Sequence, residues 1–125
     1  MIHHVSVGTN DVERSKRFYD AVLPTVGILP LSAAAEGVGY SCGTFHFSMQ
    51  VPIDGKPASV GNGSHIAFGV ENRDMVDRFY AVALAHGGTS EGKPGLRPDY
   101  DANYYGAFVR DPDGNKLEAV TYSAR

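Results

Sequence analysis

The sequence predicts an α+β fold in which two copies of one β-α-β-β-β module pair into a curved, cupped mixed sheet with the helices outside. Three observations carry this prediction: an internal repeat, an alternating run that opens each copy, and turn signals that divide the chain after each helix into short strands. Shifting the chain by 61 positions lays His4-Val5-Ser6-Val7-Gly8 on His65-Ile66-Ala67-Phe68-Gly69 and Arg17-Phe18-Tyr19 on Arg78-Phe79-Tyr80 without a gap. Leu23 then meets Leu84 and Gly27 meets Gly88, giving seven identities in 24 aligned pairs. One domain spans 1–125, with module one over about 1–55 and module two over about 63–123.

In module one, Val5, Val7 and Thr9 alternate with smaller or polar residues, the period of a half-buried strand. Asn10 or Asp11 can cap the next element, a helix with Val12, Tyr19, Val22 and Leu23 as its apolar stripe and Pro24 at its end. A short strand near 28–33 and strands over 37–42 and 44–51, divided by Gly43, complete the copy. Module two repeats the plan. Ile66, Phe68 and Val70 alternate, and Asn72 and Asp74 start a helix. Met75, Val76, Phe79, Ala83 and Leu84 form the buried face of that helix, which Gly87-Gly88 ends. A short strand near 88–91 precedes strands over 104–110 and 115–122, joined by the turn Asp111-Pro112-Asp113-Gly114. The Gly- and Pro-rich segments 52–63 and 92–103 read as a linker and a long loop.

Composition narrows the function. The 125 residues, 42% hydrophobic, supply one core and no second domain. Net charge is −3, and Lys and Arg are scattered rather than clustered, which argues against nucleic acid and against a polybasic membrane patch. No apolar run approaches the roughly 20 residues of a membrane span, and Met1-Ile2-His3-His4 lacks the features of a signal peptide, so the expected location is the cytoplasm. The single cysteine, Cys42, excludes an internal disulfide and a thiolate metal site, and within a strand-like run it reads as a small packing residue.

The chemistry comes from the repeat. His4 and His65 hold equivalent positions on the two first strands, and in a paired cup these strands should lie side by side. Sheet packing has no reason to place imidazole there twice, whereas a divalent cation near the pseudo-two-fold axis would take one neutral imidazole from each copy. Glu118, among Leu117, Ala119 and Val120, either faces solvent on an edge strand or points inward as a third ligand whose desolvation a cation offsets. The long loop before the late strands brings Arg97, Tyr100, Tyr104 and Tyr105 as candidate contacts for a small, partly aromatic or anionic substrate.

These residues resemble a family. His-Val-Ser-Val at the start, Arg-Phe-Tyr in the helix, His-Ile-Ala-Phe near residue 65 and Asp-Pro-Asp-Gly-Asn-Lys-Leu-Glu near the end are similar to the vicinal-oxygen-chelate superfamily. That group includes glyoxalase I, bleomycin-resistance proteins, fosfomycin-resistance transferases and extradiol dioxygenases. Gly95-Leu96-Arg97-Pro98 and Asn103-Tyr104-Tyr105-Gly106-Ala107-Phe108 also resemble a bacterial glyoxalase-like subgroup. The resemblance implies the glyoxalase-like fold, a homodimer, and one divalent metal (Zn, Mn, Fe or Ni) bound by His4, His65 and Glu118. The implied activity is that of a lyase, isomerase, transferase or dioxygenase that chelates vicinal oxygens and stabilises an enolate or alkoxide. The alternative is a metal-free protein that sequesters a ligand or antibiotic, as bleomycin-resistance proteins do.

Glyoxalase I draws a fourth ligand, which also serves as its base, from the last strand of module one. Superposing Gly43 on Gly114 sets Phe47 opposite Glu118, leaving no acid there; His46, or less readily Gln50, reaches the site if the register slips by one. Glu118, His46 and a metal-bound hydroxide are the candidate bases. The modules can pair within one chain or across two; in the second case His4 of one subunit meets His65 of the other.

Overall fold

A computed structural model describes residues 1–125. Module one contains β1 (His4–Gly8), α1 (Val12–Val22), a 3-10 turn (Leu23–Val26), β2 (Leu29–Ala34), β3 (Gly37–Ser41) and β4 (His46–Gln50). Module two contains β5 (Ile66–Gly69), α2 (Arg73–Ala85), β6 (Thr89–Leu96), β7 (Tyr105–Arg110) and β8 (Lys116–Thr121). The two sheets have the same topology, β1-β4-β3-β2 and β5-β8-β7-β6, with the first strand of each parallel to the last and every other pair antiparallel. The predicted α+β class and module plan hold.

Each helix starts where the sequence offers a cap. The Asp11 carboxylate accepts from the Arg14 amide at 3.0 Å, and the Asn72 side-chain oxygen accepts from the Met75 amide at 3.0 Å. α1 ends at Val22, and the chain continues through a single 3-10 turn that contains Pro24. The core lies between the helices and one face of each sheet. Phe18, Tyr19 and Val22 of α1 meet Tyr40, Phe47 and Met49, while Val76, Phe79 and Ala83 of α2 meet Ala107, Val109, Leu117 and Ala119. Phe47 and Phe68, with ring centroids 6.0 Å apart, pack one module on the other.

The closing turn also joins the modules. Buried Asp111 accepts a hydrogen bond from the Tyr19 hydroxyl of α1 at 2.5 Å and from the Asn115 side chain at 2.8 Å. Asp113 accepts from the Thr9 hydroxyl (2.6 Å), the Asn10 amide (2.9 Å) and the Arg14 guanidinium (3.0 Å). Gly114 adopts φ +96°, which lets its amide return to the Asp111 carbonyl.

Several expectations need correction. The β6 strand runs on to Leu96, through residues read as loop; it is an edge strand, where Pro94 and the glycines cost no ladder partner on the open side. Leu84 is exposed rather than core, and Cys42 is exposed rather than packed. The first strands share no ladder: β1 and β5 are outer strands of two separate sheets. No helix is long and apolar enough to cross a membrane.

Candidate functional site

The pleat decides which residues face away from the helices. On β8, Leu117, Ala119 and Thr121 turn into the core, so Lys116, Glu118 and Val120 occupy the helix-free face. The ladder sets Ala67 and Phe108 on either side of Glu118, with Gly92 beyond Phe108. His65 precedes β5 on the same face, and its Nε2 lies 3.1 Å from Glu118 Oε1.

Although it lies on the helix-free face, Glu118 is only 1% exposed. The phenol of Tyr104 covers it and donates to Oε2. Gly106 makes this approach possible, since a Cβ there would stand 3.1 Å from both Glu118 Oε2 and the Tyr104 ring. Burial first, and then the hydrogen bond and charge of Glu118, raise the Tyr104 pKa, so the phenol remains a donor at neutral pH. Tyr100 packs edge-on against Tyr104 at 5.0 Å and Tyr122 lies at 5.4 Å, completing an aromatic wall. Neither Lys nor Arg comes within 4.0 Å of Glu118; its one ion-pair partner is His65, a cation only when protonated.

Module one presents a different face. His4, Ser6, His46 and Ser48 lie on it, with Ser6 and Ser48 hydrogen-bonded at 2.7 Å. His4 Nδ1 is 2.9 Å from His3 Nδ1, and the His3 ring stacks on His46 at 5.1 Å. Comparing the ladders corrects the expected register. Val5 pairs with Phe47 as Ile66 pairs with Leu117, and Ser6 pairs with Ser48 as Ala67 pairs with Glu118. The module-one equivalent of Glu118 is therefore Ser48, not Phe47, which is buried in the core. His46 takes the place of Lys116 and shares the face of His4, as the one-residue slip requires.

Of the residues singled out in the sequence, His65, Glu118, Tyr104 and Tyr100 come together, and Arg97 lies nearby over the Phe108 ring. His4 and His46 form a second group with His3. Tyr105 turns to the helix side, where its hydroxyl donates to Asp77 at 2.7 Å under the Arg73 guanidinium. No group of three or more His, Cys, Asp or Glu side chains is close enough within the chain to hold a metal ion, so His4 stands apart from the His65–Glu118 pair. Phe108 and Lys116 were missed. The alternation of β8 could have found Lys116, two residues before Glu118 on one face.

The family model of the Glyoxalase/Bleomycin resistance protein/Dioxygenase superfamily matches residues 1–119. The chain belongs to this superfamily. Among solved superfamily structures, it is 43% identical to a glyoxalase/bleomycin resistance protein from Albidiferax ferrireducens T118, with a TM-score of 0.89 over 97% of this chain and 98% of that one. A glyoxalase-related enzyme from Fulvimarina pelagi shares 22% identity, with a TM-score of 0.78 over 97% and 87% of the two chains. Lactoylglutathione lyase from Agrobacterium tumefaciens shares 20% identity, with a TM-score of 0.70 over 97% and 92%. At the last two identities the likeness is one of fold. No curated protein matches the sequence.

Proposed function

We propose that the protein is a metal-dependent glyoxalase-like enzyme of lyase or isomerase type. It acts on a small molecule with two neighbouring oxygens, at a site completed by two copies of the chain. The observation that carries this reading is Glu118: a carboxylate 1% exposed, met by an imidazole and a phenol and by no permanent cation. Burying such a charge is costly unless a cation accompanies it.

The donor chemistry fits a divalent ion in two halves. His65 and Glu118 supply one imidazole and one carboxylate, Tyr104 fixes the carboxylate from outside, and His4 of a second copy supplies the other imidazole. Each of β1 and β5 has an unpaired edge, and a largely apolar groove of about 710 Å³ runs beside them, lined by Met1, Ile2, Val5, Phe45, Ile66 and Phe68. Both features suit a second copy of the chain. Bound there, a divalent ion supplies Lewis-acid stabilisation of negative charge developing on a substrate oxygen. Ser48, at the position matching Glu118, offers no carboxylate as a fourth ligand, so the proton-transfer role falls to His46, half-buried beside His4 on the ladder, or to Glu118 itself.

A second reading rests on the same carboxylate. His65 and Tyr104 already meet both of its oxygens, an arrangement that suits a metal-free binding face of the bleomycin-resistance type. Metal analysis of protein produced without a His tag separates the two. The enzyme reading expects about one divalent ion per chain, lost in both His65→Ala and Glu118→Gln. Metal-free wild-type protein would remove it in favour of sequestration.

A further inference from the structure

We infer that the ligand of the module-two face carries an oxyacid group, such as a carboxylate, phosphonate or phosphate, recognised by Arg97 and Lys116, the two cations at the Phe108 ring beside the His65–Glu118 pair. The inference rests on this face being the binding face, which both readings above share.

Arg97, just past the end of β6, and Lys116, on β8, reach the same ring: the Arg97 guanidinium carbon is 5.5 Å from the Phe108 centroid and the Lys116 ammonium 5.3 Å. Neither has a carboxylate within 4.0 Å, whereas Arg110 on the same sheet is paired with Glu91 at 2.5 Å. With two fixed cations against the one carboxylate of Glu118, this group carries positive charge in excess on a chain whose net charge is −3. A local positive field of that kind draws anions to the face.

The seat of Arg97 is built into the backbone. Its guanidinium donates to the carbonyls of Lys93 (2.7 Å) and Leu96 (3.3 Å), which fixes its position without neutralising it. A Cβ on Gly92 would stand 3.3 Å from Arg97 Nη2 and 3.0 Å from Phe108, and one on Gly95 would stand 3.2 Å from Arg97 Nη1. Both glycines fall where the β6–β7 register is irregular. The strand thus gives up regular pairing and side-chain volume at the points where the guanidinium lies against the ring. Carbonyl acceptors and an aromatic face leave a guanidinium fully charged, with donors free for the planar oxygen pair of an oxyacid. A metal-chelating substrate with such a group would be a small hydroxy or keto compound bearing a carboxylate or phosphoryl arm.

The test uses metal-stripped protein in chelator at low ionic strength, with inorganic phosphate as the probe and 31P line broadening as the readout. Wild-type protein should broaden the signal, and Arg97→Gln and Lys116→Gln should each weaken association about tenfold, the scale of one charge-assisted contact. Arg97→Lys should keep most of the binding. Lys116→Gln leaves β6 untouched, and circular dichroism of each variant checks folding. Both glutamine variants should retain metal like the wild type, so a failed metal assay would leave the anion seat standing, and the reverse also holds. Phosphate association equal in wild type and both variants, or none in wild type, would overturn the inference.

Discussion

At Tyr104, one hydroxyl decides how a buried carboxylate is held. Tyr104→Phe removes the donor to Glu118 Oε2 and leaves a charged acceptor without its partner, a loss of about 1–3 kcal/mol. Pairing that change with Glu118→Leu removes donor and acceptor together, so the double variant should be less destabilised than the two single losses added. Urea unfolding of the four proteins measures this coupling, and simple additivity would refute the hydrogen bond as a stabilising contact. Glu118 was legible only as a candidate, since its apolar neighbours alone leave it either solvent-facing or inward. Its module-one counterpart was not, because the closing loops differ in length. Four residues (42–45) separate the paired Ser41 and His46, whereas five (111–115) separate Arg110 and Lys116. Aligning Gly43 with Gly114 therefore slips the strand by one, and in a strand one residue exchanges core for open face: Phe47 for Ser48.

The turn between β7 and β8 reads in sequence as a means of reversing the chain, and in the fold it also joins the modules. Asp113→Ala removes the acceptor for Thr9, Asn10 and Arg14 together, at a site where the carboxylate is 3% exposed. We expect a loss of about 2–3 kcal/mol, against at most about 1 kcal/mol for Arg14→Ala, whose side chain is 43% exposed. Chemical denaturation of both variants tests the ranking. Sequence patterning could not show this role, since the partners lie about a hundred residues away and no local period records them. Tyr19 belongs to the same junction, and its hydroxyl pKa is held well above the ordinary value by burial first and then by the Asp111 charge and hydrogen bond. Because the unfolded chain releases this proton near pH 10 and the folded one does not, the stabilisation is complete below that pH. It should fall by about 1.4 kcal/mol per pH unit above it. Tyr19→Phe should be less stable at neutral pH, having removed one of the donors to the buried Asp111 carboxylate, and should lose that alkaline slope in unfolding measured from about pH 8 to about pH 11.

For the whole molecule, the duplication has a consequence that neither module shows alone. Repeat equivalence linked His4 with His65, and the chain then placed them on the faces of two separate sheets, with Glu118 beside His65 and His46 beside His4. In the proposed reading a site that draws on both halves is assembled from two chains, a point local sequence poses without an answer, since strand patterns carry no information on which copy of a module they face. The arrangement has a genetic test. In a heterodimer of one His4→Ala chain and one His65→Ala chain, two shared sites form: one lacks both histidines and the other has both. Each homodimer variant should bind no metal; the heterodimer should fill one of its two sites, so an equal mixture refolded together from denaturant, in which about half of the dimers are mixed, should recover about a quarter of the wild-type metal content. If each chain instead built its own site, every site in the mixture would lack one histidine and mixing would restore nothing. Refolding is essential to the design, because subunits that do not exchange would reproduce the negative result without testing the interface, and native mass spectrometry of the mixture confirms that the heterodimer has formed.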